Sequence, residues 1–193
     1  LLELHFAHGY LAAEFLSAAL NRRSDHFGGS LENRMRVPLQ IVEAVRSIWP
    51  ADKPLSVRIS AIDEGWSLED SVIFARALKA RGVDIIDCSS SGATLKRPVV
   101  PAPGYQVPFA ERIRREAEIP TIAVGLITKP QQAEDIVASQ KADIVAIARE
   151  ALNDPNWPLH ARGALSADPL DFSDWPVQVG GRLQDRERMR RQS

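Results

Sequence analysis

Leu1-Leu2-Glu3-Leu4-His5-Phe6-Ala7-His8-Gly9-Tyr10 opens the chain as a short apolar run that ends in two histidines, a glycine and a tyrosine. A buried strand is expected here. It would deliver three proton-handling side chains to its own C-terminal end, which is where an α/β barrel keeps its chemistry. Neither histidine has a histidine partner at i+4, the spacing of a helical zinc site, so hydrogen bonding is expected of this pair and metal binding is not. A satisfied histidine at the rim of a core would produce the same letters, so the reading turns on what lies downstream.

Downstream the pattern repeats. Ser30 can cap a helix running through Trp49, with Leu31, Met35, Leu39, Val42, Val45 and Ile48 on one stripe and Pro38 bending it. Leu55–Ser60 reads as a strand, and Ser67-Leu68-Glu69-Asp70 opens a helix with a capping-box start, an apolar face of Val72, Ala75 and Leu78, and Gly82 as its C′ residue. Val83–Ser89 is the next strand. Phe109 and Ile113 mark a basic helix that stops before Pro120, and Thr121–Val124 is a short buried strand. Thr128 as N-cap, an early Pro130 and Gln131 at N3 predict a helix to about Ser139. Ile144–Ile147 is the last strand.

Continuous apolar runs between amphipathic helices describe parallel strands covered by helices, with no wet face. A doubly wound sheet and a (β/α)8 TIM barrel both fit an alternation of this kind. No Gly-x-Gly-x-x-Gly follows a strand, which counts against a dinucleotide-binding sheet. The polar residues favour the barrel. His5, Arg58, Ser89, Gly125 and Arg149 each fall at or just past the end of a different strand, and in a barrel those ends converge on one face. Gly125-Leu126 and Ala148-Arg149 would form a phosphate site, a glycine amide approaching the oxyanion and a guanidinium binding it bidentately. An ion pair from Arg149 to Glu150 or Asp154 is the alternative.

Composition narrows the classes of function. The chain has 193 residues and a net charge of −1. That charge gives no general attraction to nucleic acid or to anionic membrane, so phosphate binding must be local. The single cysteine, Cys88, fits a reducing cytosol, and no segment has the make-up of a signal peptide or a membrane span. The polar stretch from Ser17 to Ser30 reads as a long ordered loop. The chain opens without methionine, as though in the middle of a strand, so a missing N-terminal portion is expected.

Taken together, six segments resemble the C-terminal portion of Old Yellow Enzyme-type flavin oxidoreductases, particularly the thermophilic-like ene-reductases. They are His5-Phe6-Ala7-His8-Gly9-Tyr10, Asn21 to Arg34, Val57-Arg58-Ile59-Ser60, Pro103-Gly104-Tyr105-Gln106, Ala123-Val124-Gly125-Leu126-Ile127-Thr128 and Ala148-Arg149-Glu150. The resemblance runs from residue 1 to about Pro158. It implies an FMN-binding barrel that passes electrons from NADPH, or NADH, to activated carbon–carbon double bonds such as those of enones and nitroalkenes. It further implies that His5 and His8 bind the substrate's carbonyl or nitro oxygen and that Tyr10 protonates the α-carbon. Arg58 would sit beside flavin N1 and O2, and Gly125, Leu126, Ala148 and Arg149 would hold the FMN phosphate. A cytoplasmic enzyme with a small-molecule substrate is expected.

Departures from the family pattern are specific. Phe27 stands where the family usually has tyrosine, and Pro176-Val177-Gln178-Val179 replaces a Pro-Val-Gln-Tyr ending. In the matched branch an arginine near this end can enter a partner subunit's site, which would make the protein a homo-oligomer. Arg182 is the nearest candidate, one residue out of register. Residues 1–165 would be barrel and 166–193 a C-terminal extension, with the tail from Arg182 solvated and mobile. Counted against the family, the chain supplies strands four to eight, an incomplete barrel. Two other readings compete with the enzyme: a non-catalytic remnant stable only with a partner chain, and a phosphosugar isomerase or aldolase. The last needs a lysine or carboxylate at a strand end, whereas Lys96 and Lys129 fall in loops.

Overall fold

The computed structural model describes residues 1–94, 99–168 and 170–192, so Lys96 lies outside the described residues. Five strands, β1 (Leu2–Phe6), β2 (Leu55–Ser60), β3 (Ile85–Ser89), β4 (Thr121–Ala123) and β5 (Ile144–Val145), form one parallel sheet in the order β1-β2-β3-β4-β5. Helices α2 (Leu31–Arg46), α3 (Leu68–Lys79), α4 (Val107–Ala117) and α5 (Pro130–Ala138) make the crossovers, and a short α1 (Leu11–Leu16) precedes α2. Every new strand is laid beside the one before it. A doubly wound sheet reverses direction and sends later strands to both sides of its first. Unbroken sequential order is the winding of a (β/α)8 barrel, of which the described residues carry five strands.

The register places His5, Arg58, Asp87, Ile122 and Ile144 in one row across all five strands. Residues in register across a sheet share a face, so the two faces are chemically different. One carries Leu55, Val57, Ile59 and Ile86, completely buried under the helices in the main core. Burying each such side chain contributes about 1.5–3 kcal/mol. The opposite face carries Glu3, His5, Ser56, Arg58 and Asp87 on β1–β3, then a small apolar cluster of Ile85, Ile122 and Val124. The expectation that no strand has a wet face is therefore corrected: β1 alternates, with Glu3 and His5 exposed between half-buried leucines.

Local chemistry explains most element boundaries. Ser30 accepts from the Asn33 amide at 3.3 Å, and Ser67 and Asp70 close a reciprocal capping box. Gly82, at φ +81°, ends α3 as its C′ residue, with Gly82 N–H to Lys79 O at 3.0 Å and Val83 N–H to Leu78 O at 3.2 Å. Pro38 lies buried inside α2. The start of α5 falls one residue later than expected, with Lys129 and not Thr128 as N-cap. Lys129 precedes Pro130, whose ring drives it out of the helical region to φ −108°, ψ 138°. Gln132 then takes the N3 place and accepts from the Thr128 amide at 3.2 Å.

β3 begins at Ile85 and not Val83, β4 stops at Ala123, and β5 is only two residues long because the chain enters α6 (Arg149–Asn153) almost at once. Helix α7 (Trp157–Leu165) follows. The arginine-rich end, expected as a mobile tail, lies in helix α8 (Val177–Gln192). Glu187 supports α8 from within, accepting from Arg190 and Arg191 at i+3 and i+4. Among the described residues no helix is long and apolar enough to cross a membrane.

Candidate active site

Past β1 the backbone reverses through two left-handed residues, His8 at φ 59° and Gly9 at φ 74°. Such a conformation costs a non-glycine residue on the order of 1 kcal/mol or more, so the surroundings must hold it. They do so from the ends of the next two strands. The His8 amide donates to Ser60 Oγ at 3.0 Å, and the same hydroxyl donates to Ser91 O at 2.8 Å. Gly92, at φ +111°, packs so closely that a Cβ there would lie 2.5 Å from His8 Cα.

The turn gathers three rings, with His5 5.1 Å from His8 and 5.3 Å from Tyr10 between centroids. Gly92→Ala must therefore displace the His8 turn. We expect a loss of about 2 kcal/mol or more, seen as a melting temperature lower by roughly 4–8 °C. Gly29→Ala, also at positive φ (+79°) but with nothing within 4 Å, should cost less. Equal shifts would remove the interlock.

Below this turn lies a cavity of about 480 Å³. His8 and Arg58 line it from the β1–β2 side, and Gly125, Leu126, Ala148 and Arg149 line it from the ends of β4 and β5. His8 and all five residues expected at a cofactor thus meet around one space, together with Ser89. His5 and Tyr10 do not line it; they join it through the His8 ring.

At the far end the chain is shaped to leave room. Gly125 has φ +114°, and a Cβ there would come within 2.9 Å of Gln106 Nε2 and Tyr105 Cε1. The carbonyls of Gly125 and Leu126 accept from the Gly104 amide at 2.9 Å and Gln132 Nε2 at 3.3 Å. No ion pair to Glu150 or Asp154 forms at Arg149. Glu150 accepts from Asn153, and Asp154 is held by His160 at 2.6 Å. Among the described residues Arg149 has no carboxylate partner.

Arg58 lines the cavity, and Asp87 lies next to it on β3, in register but outside the lining. Arg58 Nε lies 3.6 Å from Asp87 Oδ2, beyond hydrogen-bond reach, and both Arg58 Nε and Asp87 Oδ1 are buried without a hydrogen-bond partner. Burial pushes the Asp87 carboxyl up to about 6, against a smaller lowering by Arg58. Burial lowers both histidines, with the Arg58 charge adding to it, so their imidazoles are neutral at neutral pH and each has one N–H to donate.

The Asp87 shift makes a signed prediction. The folded chain holds this proton more tightly than the unfolded one, so unfolding releases it, and stability falls as pH rises from about 4 to about 6. The cost reaches about 2–3 kcal/mol above that window. Asp87→Asn should abolish this component, and the difference between the two denaturation midpoints, followed from pH 4 to 7, checks it. Parallel curves would place the shift elsewhere.

The sequence matches the model of the NADH:flavin oxidoreductase / NADH oxidase family over residues 1–167. The chain belongs to this family. Among its members, an NADPH dehydrogenase of Geobacillus sp. (strain WCH70) is 54% identical over 168 residues, covering 86% of this chain and 48% of that protein. The NADPH dehydrogenase of Halalkalibacterium halodurans is 49% identical over 164 residues, covering 83% and 48%. The chain spans about half the length of the curated relatives it matches. Among solved structures, morphinone reductase superposes with a TM-score of 0.70 at 25% identity, covering 89% of this chain and 46% of that one. A 2-naphthoyl-CoA reductase complex does so with 0.76 at 27%, covering 88% and 26%.

Three polar residues of the site escaped the sequence reading. Asp87 was visible as the one carboxylate inside Ile85-Ile86-Asp87-Cys88-Ser89. Gln106, buried and accepting from Ser90 Oγ at 2.7 Å, lies in a segment that carried the resemblance without a role. Ser60 gave no signal, since a serine closing a strand is ordinary.

Proposed function

We propose that this chain is the FMN-phosphate and substrate-activating part of an oxidoreductase that reduces activated carbon–carbon double bonds, such as those of enones and nitroalkenes, with NADPH or NADH as donor. The observation that carries the reading is the convergence of His8, Arg58, Gly125 and Arg149 on one cavity from four different strand ends.

The residues present fit FMN. Arg149 is a cation with no ion-pair partner among the described residues. Gly125 lacks the Cβ that would fill the cradle beside it, and Arg58 carries a buried Nε with no acceptor. Gly125, Leu126, Ala148 and Arg149 would hold the phosphate, and Arg58 the electron-rich edge of the ring system. When bound, FMN supplies hydride-transfer chemistry, taking two electrons from the nicotinamide donor and passing them to the substrate.

The chain's own residues do the rest. The neutral imidazoles of His5 and His8 donate hydrogen bonds to the oxygen of an enone or nitroalkene, where negative charge grows as the double bond is reduced. Prepositioned donors stabilise that state at little reorganisation cost. The Tyr10 hydroxyl, next to His5, gives a proton to the carbon adjacent to the activating group. The Ser60–Ser91–Gly92 interlock holds the His8 turn in place for both steps.

Purified chain mixed with FMN should quench flavin fluorescence at a stoichiometry of about one and, once loaded, oxidise NADPH in the presence of cyclohexenone. Protein that stays colourless with added FMN would overturn the reading. If it also ran only as a complex with a second polypeptide, the non-catalytic remnant would be the better account.

A further inference from the structure

We propose that Asp87 is a positioning residue for Arg58: its carboxylate is the counter-charge that fixes the guanidinium on the strand row and sets how much positive potential the cavity offers to a flavin. The inference rests on the FMN reading above and goes beyond it, because it assigns a role to a residue that does not line the cavity.

Three observations place Asp87 there. It is the cross-strand partner of Arg58 in the β2–β3 register, so the two side chains leave the sheet on the same face at the same level. Its side chain is 5% exposed while that of Arg58 is 31% exposed, so the carboxylate sits at the base and the cation faces the space above. The pair is poised and not closed: at 3.6 Å the two facing atoms do not hydrogen-bond, and each residue keeps one buried polar atom without a partner. A pair built only to staple two strands would satisfy those atoms, since an unmade buried bond is costly.

The groups around Asp87 leave Arg58 as its principal partner. From β1 the only charge that bears on it is Glu3, of like sign, whose Oε2 is occupied by Ser56 Oγ at 2.9 Å. From β4 it meets Ile122 and the apolar cluster beyond. Cys88, next in the chain, is buried on the opposite face, its thiol pushed up by burial and by Asp87 itself. In this low-dielectric setting the state of one carboxyl governs the net charge beneath the cavity. Ionised, it cancels much of Arg58; protonated, near pH 6 and below, it leaves the guanidinium unopposed.

The expected consequence is electrochemical. Two-electron reduction adds negative charge to a bound flavin, so removing the counter-charge favours the reduced form. In the FMN-loaded protein at pH 7.5, Asp87→Asn should shift the reduction equilibrium by about tenfold, an upward step of about 30 mV for a two-electron couple. Asp87→Glu should restore the original value. A substitution that only loosened packing would leave the potential alone, and an unchanged potential in Asp87→Asn overturns the proposal.

A second measurement needs no flavin. The carboxyl carbon of Asp87, followed by NMR, should titrate near 6 and move further up in Arg58→Gln, because the lowering cation is gone. A titration indifferent to Arg58 would refute the coupling. If the unaltered chain took up no FMN, the oxidoreductase reading would fail by itself, and the carboxyl titration would still decide this one.

Discussion

Replacing both His5 and His8 with alanine is expected to lower kcat for cyclohexenone reduction by on the order of 10³, while FMN affinity stays within a few-fold. The magnitude follows from the role. Removing a single donor from an oxyanion site costs about 10²–10³ in kcat, or about 2.7–4 kcal/mol. The two rings stand 5.1 Å apart, close enough to serve one oxygen, so their losses should not simply add. Each single alanine should cost on the order of 10², with the double variant below the product of the two.

The charge state sharpens the test. Both imidazoles are held neutral by burial and by Arg58, so each is a one-proton donor that asparagine can imitate. His8→Asn should recover part of what His8→Ala loses. Tyr10→Phe removes the hydroxyl proposed as the acid and keeps the ring against His5, so it should lower the rate without altering how substrate oxygen is bound. A double alanine variant within tenfold of the unaltered protein would remove these histidines from the mechanism.

Most of the fold was legible in the sequence because its signals are local. Caps such as Ser30 and Ser67, the C′ glycine Gly82 and the apolar stripes of α2 and α3 act within a few residues, and each element formed where those residues point. The errors have equally local causes. Pro130 moved a helix start by constraining the residue before it, a rule that outranks the appeal of Thr128 as a cap. β5 is short because Arg149 opens a helix. The reading of β1 failed for a different reason: Leu2-Glu3-Leu4-His5 alternates, but two residues of alternation inside an apolar run do not declare which face is wet. That is decided by β2 and β3, which bring Arg58 and Asp87 into register beside His5.

The site divides along the same line. Residues at strand ends could be found by position alone, because a barrel gathers strand ends whatever the side chains are. His8, Arg58, Gly125, Leu126, Ala148 and Arg149 were all reachable that way and all line one cavity. What could not be read is anything that depends on two segments meeting. Ser60 matters only because His8 and Ser91 fall on either side of its hydroxyl. Gly92 matters only because His8 presses on it, and Asp87 only because Arg58 lies opposite.

Arg149→Ala is expected to weaken FMN binding by about 30- to 1,000-fold and to leave riboflavin binding nearly unchanged. A charge-assisted pair between guanidinium and phosphate is among the stronger contacts a protein makes, and truncating one partner of such a pair costs about 2–4 kcal/mol. Here no competing carboxylate offsets the loss: Glu150 and Asp154 are engaged by Asn153 and His160, so the cation serves no other pair among the described residues. Riboflavin lacks the phosphate and so reports everything else the cavity does for the ring system. The ratio of the two dissociation constants, measured by fluorescence quenching for each variant, isolates the phosphate contact from any general loosening.

Arg58→Ala should show the converse, weakening both flavins alike, because its expected contact is with the ring edge they share. Salt gives an independent check: FMN binding by the unaltered chain should weaken as ionic strength rises, and the dependence should flatten in Arg149→Ala. If Arg149→Ala lost FMN and riboflavin in equal proportion, the assignment of the β5 end to phosphate would be wrong, and the cavity would have to hold its ligand in the opposite direction.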